Sequence, residues 1–117
     1  MSYKKDRIAS IIKRSISEML TFELRDPDIG FATITDVEVT NDLSIAKVFV
    51  TFLGSKKDAA RGLEALNRAK GKIRSHVSHK LDTRRCPDLI FIIDESLERG
   101  NRIEAIIEEI NSENKQN

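Results

Sequence analysis

The sequence is poor in the residues that carry catalytic and cross-linking chemistry. It has one cysteine, Cys86, no tryptophan and two histidines. A single cysteine excludes an internal disulfide and a cysteine-rich zinc site, and we expect a half-buried thiol in a reducing compartment. The sequence has no apolar run long enough to cross a membrane, and its first residues do not have the pattern of a secretory signal. We therefore expect a cytoplasmic protein that does not bind membranes.

Sequence motifs of common enzyme classes are also missing. There is no phosphate-binding glycine loop, dinucleotide fingerprint or nucleophile elbow. His76 and His79 are three residues apart and would lie near one face of a helix, but no third ligand accompanies them, so we expect no metal site. Asp26 and Asp28 flank Pro27 and are better interpreted as turn residues than as a catalytic or magnesium-binding pair. We expect no enzymatic activity and no cofactor.

The sequence does have a very uneven distribution of charge. The whole chain carries 20 basic and 19 acidic residues, a net charge of +1. Residues 56–85 hold ten Lys or Arg against three Asp or Glu, a net +7, whereas residues 1–55 sum to −1 and residues 86–117 to −5. Such a cationic block attracts polyanions, although a charged run is also an ordinary solvated helix face. Aromatic side chains are 5% of the chain and none lies in the block, which disfavours a base-stacking platform.

Hydrophobic periodicity predicts an α+β order of elements. Apolar residues three and four apart indicate amphipathic helices, and runs of β-branched residues indicate strands. The predicted elements are a helix over about residues 4–24, strands over 31–39 and 45–52, two helices within 56–81, a strand over 89–93 and a last helix from 97. Ser55 is the predicted N-cap of the first of the two helices within 56–81. Because the second strand has one mostly apolar face, we expect the helices to cover one face of a three-stranded sheet.

The junction between the second and third predicted helices is expected to be a kink. Ala69 and Gly71 lie there, and glycine costs about 1 kcal/mol relative to alanine in a helix interior. The small side chains of these two residues would also let the helices approach closely at the bend. We expect a single domain over residues 1–111, followed by a disordered acidic and polar tail over 112–117.

Four separated segments resemble the ribosome-binding factor A family, which is a family of bacterial proteins of small-subunit maturation. The segments are RDPD (25–28), VEVTNDLSIAKVFV (37–50), LNRAKGKIR (66–74), and RCPDLIF (85–91) followed by DES (94–96). The resemblance covers about residues 7–107. It implies a type II KH-like domain, with the order α-β-β-α-α-β and a C-terminal helix, in which the Ala-x-Gly kink 69–71 replaces the usual Gly-x-x-Gly loop.

The resemblance implies a non-catalytic factor that binds the free 30S ribosomal subunit and its 16S rRNA and assists late assembly and rRNA processing. Without a Gly-x-x-Gly loop to grip single strands, we expect contacts to phosphates rather than base readout. The candidate RNA-binding residues are the cations of the basic block, Arg68, Lys70, Lys72, Arg74, Lys80, Arg84 and Arg85. The alternative is a protein-interaction module that recruits other assembly factors without touching RNA. We expect a monomer.

Overall fold

The computed structural model describes residues 3–22, 24, 26–81 and 86–95. Within these ranges the elements follow the predicted order: α1 Tyr3–Phe22, β1 Ala32–Val39, β2 Ile45–Phe52, α2 Lys56–Arg68, α3 Lys70–Lys80 and β3 Asp88–Ile93. The predicted last helix, the tail, the domain boundary at residue 111 and two candidate residues, Arg84 and Arg85, lie outside the described residues. None of the helices in the described ranges is long and apolar enough to span a membrane.

Helix α1 forms because its apolar residues fall on one stripe that is removed from water. Ile8 is buried, and Ile12, Ile16 and Met19 have no exposed surface. The helix ends at Phe22, two residues earlier than the periodicity predicted. The N–H of Leu24 donates to the carbonyl of Met19 at 2.8 Å, a closing turn typical of helix C-termini. Leu24 continues the apolar periodicity of α1 although it lies beyond the last helical residue, which explains why the periodicity predicted a later end.

The three strands form one sheet in the order β1-β2-β3, with β1 antiparallel to β2 and β3 parallel to β2. Ala46, Val48 and Val50 of the central strand are completely buried, while Lys47 between them is exposed. The buried side chains belong to a single core cluster that also includes residues of all three helices. The prediction of one covered sheet face is confirmed.

A β-bulge in β1 was not visible in the sequence pattern. Ile34 pairs with Val50 and Asp36 with Phe49, so Thr35 is the extra residue. The Thr35 hydroxyl lies 2.5 Å from the Asp94 carboxylate and 3.3 Å from the Phe49 carbonyl. Because a bulge shifts the alternation of side chains by one residue, the apolar residues on both sides of it reach the core.

The expectation that both small residues at the kink allow close helix packing is wrong for Gly71. Among the described residues, a Cβ atom built on Gly71 would have no neighbour within 4 Å, so none of them packs against it. The glycine that is needed for packing is Gly62 in α2, because a Cβ there would overlap the ring of Phe52. Sequence periodicity does not reveal this contact, since the two residues belong to different elements.

Candidate nucleic-acid interface

The kink is a change of helix direction at a single residue. Helix α2 ends at Arg68 and α3 begins at Lys70, and the intervening Ala69 has φ −86° and ψ 1°. The Ala69 N–H donates to the carbonyl of Ala65 at 3.1 Å, and the Ala69 carbonyl accepts from the N–H of Ile73 at 3.0 Å. The backbone groups of Ala69 thus remain paired through the bend. There is no loop here that could grip a single strand in the manner of Gly-x-x-Gly.

The start of α2 is fixed by a capping box. The N–H of Asp58 donates to the Ser55 hydroxyl at 3.2 Å, and the N–H of Ser55 donates to the Asp58 carboxylate at 2.9 Å. The Ser55 hydroxyl also donates to this carboxylate at 3.0 Å, and the hydrogen bonds that the carboxylate accepts from the backbone and hydroxyl of Ser55 lower the pKa of Asp58 from its ordinary value of 3.8. The predicted cap is confirmed, and reciprocal capping satisfies two donors that would otherwise lack partners.

Arg68 is the candidate residue most involved in contacts within the protein. Its Nη2 lies 3.2 Å from Asp28 and 3.8 Å from Asp26, and its Nη1 lies 3.8 Å from Glu64. The side chain is 54% exposed, so each pair is screened by solvent and contributes little stability. Three carboxylates around one guanidinium nevertheless lower its attraction for phosphate.

The turn residues Asp26 and Asp28 have a structural role that agrees with the sequence interpretation. The N–H of Asp28 donates to the Asp26 carboxylate at 2.9 Å, which closes the turn after α1. Both carboxylates face Arg68 at the end of α2. The turn is therefore connected electrostatically to the kink.

Arg74 connects α3 to the start of β3. Its Nη2 lies 3.2 Å from the Asp88 carboxylate and donates to the Cys86 carbonyl at 3.0 Å. The Cys86 thiol is partly buried, and this desolvation raises its pKa, which favours the neutral thiol. Arg74 thus carries a charge that is already paired within the fold.

The lysines of α3 are less engaged than the arginines. Lys70 is partly buried, and its Nζ lies 5.9 Å from the centre of the Phe91 ring, within the range of a cation–π contact. Lys72 and Lys80 are exposed, and within the described ranges neither has a carboxylate at ion-pair distance. Of the candidate residues that the structure describes, these two are therefore the exposed cations that lack a carboxylate partner within the described ranges.

The histidine pair has no third ligand nearby in the described ranges. The Nδ1 of His79 lies 2.7 Å from the Ser75 carbonyl, and His76 is partly buried. The described residues contain no group of three His, Cys, Asp or Glu side chains placed to hold a metal ion.

A cationic groove between α1 and α3 was missed by the sequence analysis. It has a volume of about 500 Å³. The lining residues come from both helices: Arg7, Ser10, Ile11, Arg14, Ser15, Glu18 and Lys80. The only available signal in the sequence was the spacing of seven between the two arginines, which places them on one stripe of α1. Their proximity to Lys80 is decided by the packing of α1 against α3.

A kinked helix pair, together with α1 and a three-stranded sheet in the order α-β-β-α-α-β, defines a KH-like α+β domain that lacks the Gly-x-x-Gly loop. Residues 4–107 match the sequence model of the family named ribosome-binding factor A. The chain belongs to this family, and the resemblance seen in its four segments is confirmed.

Curated relatives cover nearly the whole chain. A ribosome-binding factor A from Macrococcus caseolyticus is 46% identical over 111 residues, which is 95% of this chain and 97% of the relative. A ribosome-binding factor A from Desulforamulus reducens is 42% identical over 113 residues, 97% of this chain and 94% of the relative. The similarity is therefore not confined to one motif.

Solved structures agree on the fold. The crystal structure of ribosome-binding factor A from Thermus thermophilus has a TM-score of 0.68 and 26% identity, covering 78% of this chain and 97% of that one. A homology model of the Thermus thermophilus protein, fitted into a cryo-EM map of its complex with the 30S subunit, has a TM-score of 0.63 and 24% identity, covering 82% of this chain and 97% of that one. The predicted KH-like fold is confirmed.

Proposed function

We propose that this protein is a non-catalytic maturation factor that binds the free 30S subunit and contacts its 16S rRNA through the kink and α3. In this role it holds or checks a structural element of the immature subunit until rRNA processing is complete. Membership of the family supports the ribosomal role, and the Thermus thermophilus relative fitted into a 30S complex supports the subunit. The composition of α3 supports the kink and α3 as the RNA-binding surface. This composition is the observation on which the proposal depends.

Helix α3 has four Lys or Arg residues and no acidic residue over its 11 positions. Each lysine that meets a phosphate releases condensed counterions, and this contribution to affinity requires no base readout. Lys72 and Lys80 are exposed, so their ammonium groups can reach a polyanion without breaking an internal ion pair among the described residues. Recognition would then depend on the shape and charge of folded RNA.

Gly71 fits this proposal better than it fits a packing role. It lies in the first turn of α3, where an added methyl group would contact none of the described residues. A residue without a Cβ permits close approach of a backbone to a ligand. We therefore infer that the RNA backbone approaches the main chain at this position.

The test is charge reversal at the kink with a charge-matched control. Lys70→Glu with Lys72→Glu should weaken binding to free 30S subunits by about 100-fold or more, because two phosphate contacts are replaced by repulsion. Arg74 is left unchanged, since a reversed charge there would face Asp88. Binding is measured by co-sedimentation and by fluorescence anisotropy of the labelled protein.

The matched control is Lys56→Glu with Lys57→Glu. Both lysines are exposed in the first turn of α2, and the double change alters the net charge by the same amount. Circular dichroism and thermal melts of both variants check that the fold is retained. Equal affinities of the two double variants would contradict the placement of the RNA site at the kink.

A protein-interaction module remains the second candidate, favoured by two exposed apolar side chains. Phe31 is 79% and Leu53 76% exposed, and the Leu53 N–H donates to the Phe31 carbonyl at 3.0 Å, so the residues are neighbours. Salt separates the two functions. Binding through phosphates weakens steeply as ionic strength rises, whereas docking of an apolar surface responds little.

A further inference from the structure

The groove between α1 and α3 is lined by cations from both helices. Arg7, Ser10 and Arg14 lie at positions i, i+3 and i+7 of α1, so they form one stripe along two turns, about 10.5 Å. Lys80 from the end of α3 lines the same groove. Four residues of two helices that are distant in sequence are thereby brought to one surface.

The charges of this groove are not compensated by the described part of the protein. Arg7, Arg14 and Lys80 are exposed, and no described carboxylate lies within ion-pair distance of any of them. Glu18 is the acidic residue that lines the groove, and it is not at ion-pair distance from these three cations. The groove therefore has an excess of positive charge, in contrast to Arg68 and its three carboxylates.

This convergence of cations is not explained by folding. Like charges brought together repel one another, and a polar uncharged residue such as glutamine would support the same helices at these exposed positions. A polyanion in the groove would remove the repulsion and gain a favourable contact with each cation. The serine hydroxyl of Ser10 lies between the two arginines in the stripe and adds a neutral hydrogen-bond donor for a phosphate oxygen.

One face of α3 connects the groove with the proposed kink site. Lys72, His76 and Lys80 are four residues apart, so they share one face of α3. Lys80 at one end of this row lines the groove, and Lys72 at the other end is close in sequence to the kink. The phosphate backbone of a folded RNA that follows this face would reach α1.

We propose that the α1–α3 groove binds phosphates of the RNA backbone and forms a second contact area, in which Arg7, Arg14 and Lys80 each contact a phosphate. This inference rests on the proposed function, since it names a further RNA-binding surface of the same protein. The RNA then contacts the protein along α3, from the kink to the groove.

The experiment compares three double substitutions to glutamine in the full chain. The groove variant is Arg7→Gln with Arg14→Gln, the kink variant is Lys70→Gln with Lys72→Gln, and the control is Lys4→Gln with Lys13→Gln. The control residues are exposed on the same helix as the two arginines but do not line the groove. Each variant loses the same charge, so long-range electrostatic effects are matched.

Affinity for free 30S subunits is measured at a series of salt concentrations. The groove variant should lose about tenfold or more in affinity at moderate salt, and its log–log salt slope should fall by about two, one for each lost phosphate contact. The single change Lys80→Gln, on the other helix, should reduce the slope by about one. The control should retain the wild-type slope and bind within about twofold of the wild type.

Two outcomes would contradict RNA binding in the groove without affecting the proposed function. The first is a groove variant that behaves like the control while the kink variant loses affinity. The second is a groove variant that loses affinity for 30S subunits but not for protein-free 16S rRNA. This result would indicate that the groove contacts a ribosomal protein rather than RNA. If the wild-type protein binds neither subunits nor rRNA, the proposed function itself fails, and the groove proposal fails with it.

Discussion

Helices α2 and α3 are both rich in cations and each contains one glycine, but their side chains are engaged very differently. In α2, Gly62 lies against an aromatic ring and Arg68 is surrounded by three carboxylates. In α3, none of the described residues packs against Gly71, and none of them offers Lys72 or Lys80 a carboxylate at ion-pair distance. Helix α2 also has a side-chain cap, whereas α3 begins without one.

The difference indicates a division of roles between the two halves of the kinked pair. The distinctive residues of α2 connect the helix to β2 and to the turn after α1, so they maintain the position of the kink. In α3, Arg74 is paired with Asp88, whereas Lys72 and Lys80 are exposed and available for a ligand. Net charge along the sequence does not distinguish these roles, because a paired and an unpaired cation count equally.

The largest expected effect comes from placing the same substitution in both helices. Gly62→Ala should destabilise the protein by about 1–3 kcal/mol, because the added Cβ would overlap the Phe52 ring, with up to about 1 kcal/mol regained from helix propensity. Gly71→Ala should stabilise it by up to about 1 kcal/mol, because alanine favours the helix and its methyl group would contact none of the described residues. Urea unfolding measures both. Changes of the same sign would remove the distinction between the glycines.

A smaller effect is expected from removing one cation in each helix. Lys72→Gln should reduce the salt slope of 30S binding by about one, since an exposed lysine is available to a phosphate. Arg68→Gln should leave the slope near that of the wild type, because this guanidinium already faces carboxylates. Anisotropy titrations at several salt concentrations compare the two. A larger loss of slope for Arg68→Gln would mean that the arginine exchanges its carboxylates for phosphate.

The smallest expected effect is an acid sensitivity specific to the cap of α2. Hydrogen bonds from Ser55 lower the pKa of Asp58 below 3.8 in the folded state, so ionised Asp58 stabilises the fold above about pH 4. This contribution is lost as pH falls through the lowered folded pKa. Stability measured between pH 7 and pH 2 should therefore fall more steeply in the wild type than in Asp58→Asn.

Asp42 in the hairpin turn also has a lowered pKa, but it is unchanged in both the wild type and the Asp58→Asn variant. Its pKa is lowered to about 2 by hydrogen bonds from Ser44 and Thr40, and its titration is common to the wild type and the variant. The difference between the two pH profiles therefore isolates the cap. Parallel profiles would show that the cap does not depend on the charge of Asp58.

Most of the fold could be predicted because local patterns determine it. The apolar stripe of α1, the alternation in β2 and the cap at Ser55 each depend on residues within a few positions of one another, and all three were predicted. The bulge at Thr35 could not be predicted, since it depends on the register with β2 and on the distant Asp94. The packing role of Gly62 was missed for the same reason.

The candidate site was only partly predictable. The position of the kink at Ala69 was inferred from weak helix formers, and the cations of α3 were evident from composition. The neutralisation of Arg68 was not foreseen, because Asp28 is 40 residues away in the chain. The contribution of α1 was also missed, since its arginines lie in a segment with a net charge near zero.

The sequence by itself determined the order of the elements, the family and the positions of the Lys and Arg residues along the chain, because periodicity, turn residues and composition are local properties. Only the tertiary structure decided which cations are available. Packing placed the turn after α1 against Arg68 and placed Arg7 and Arg14 beside Lys80. Electrostatic attraction depends on distances in space, and residues far apart in the chain acquire those distances only when the chain folds.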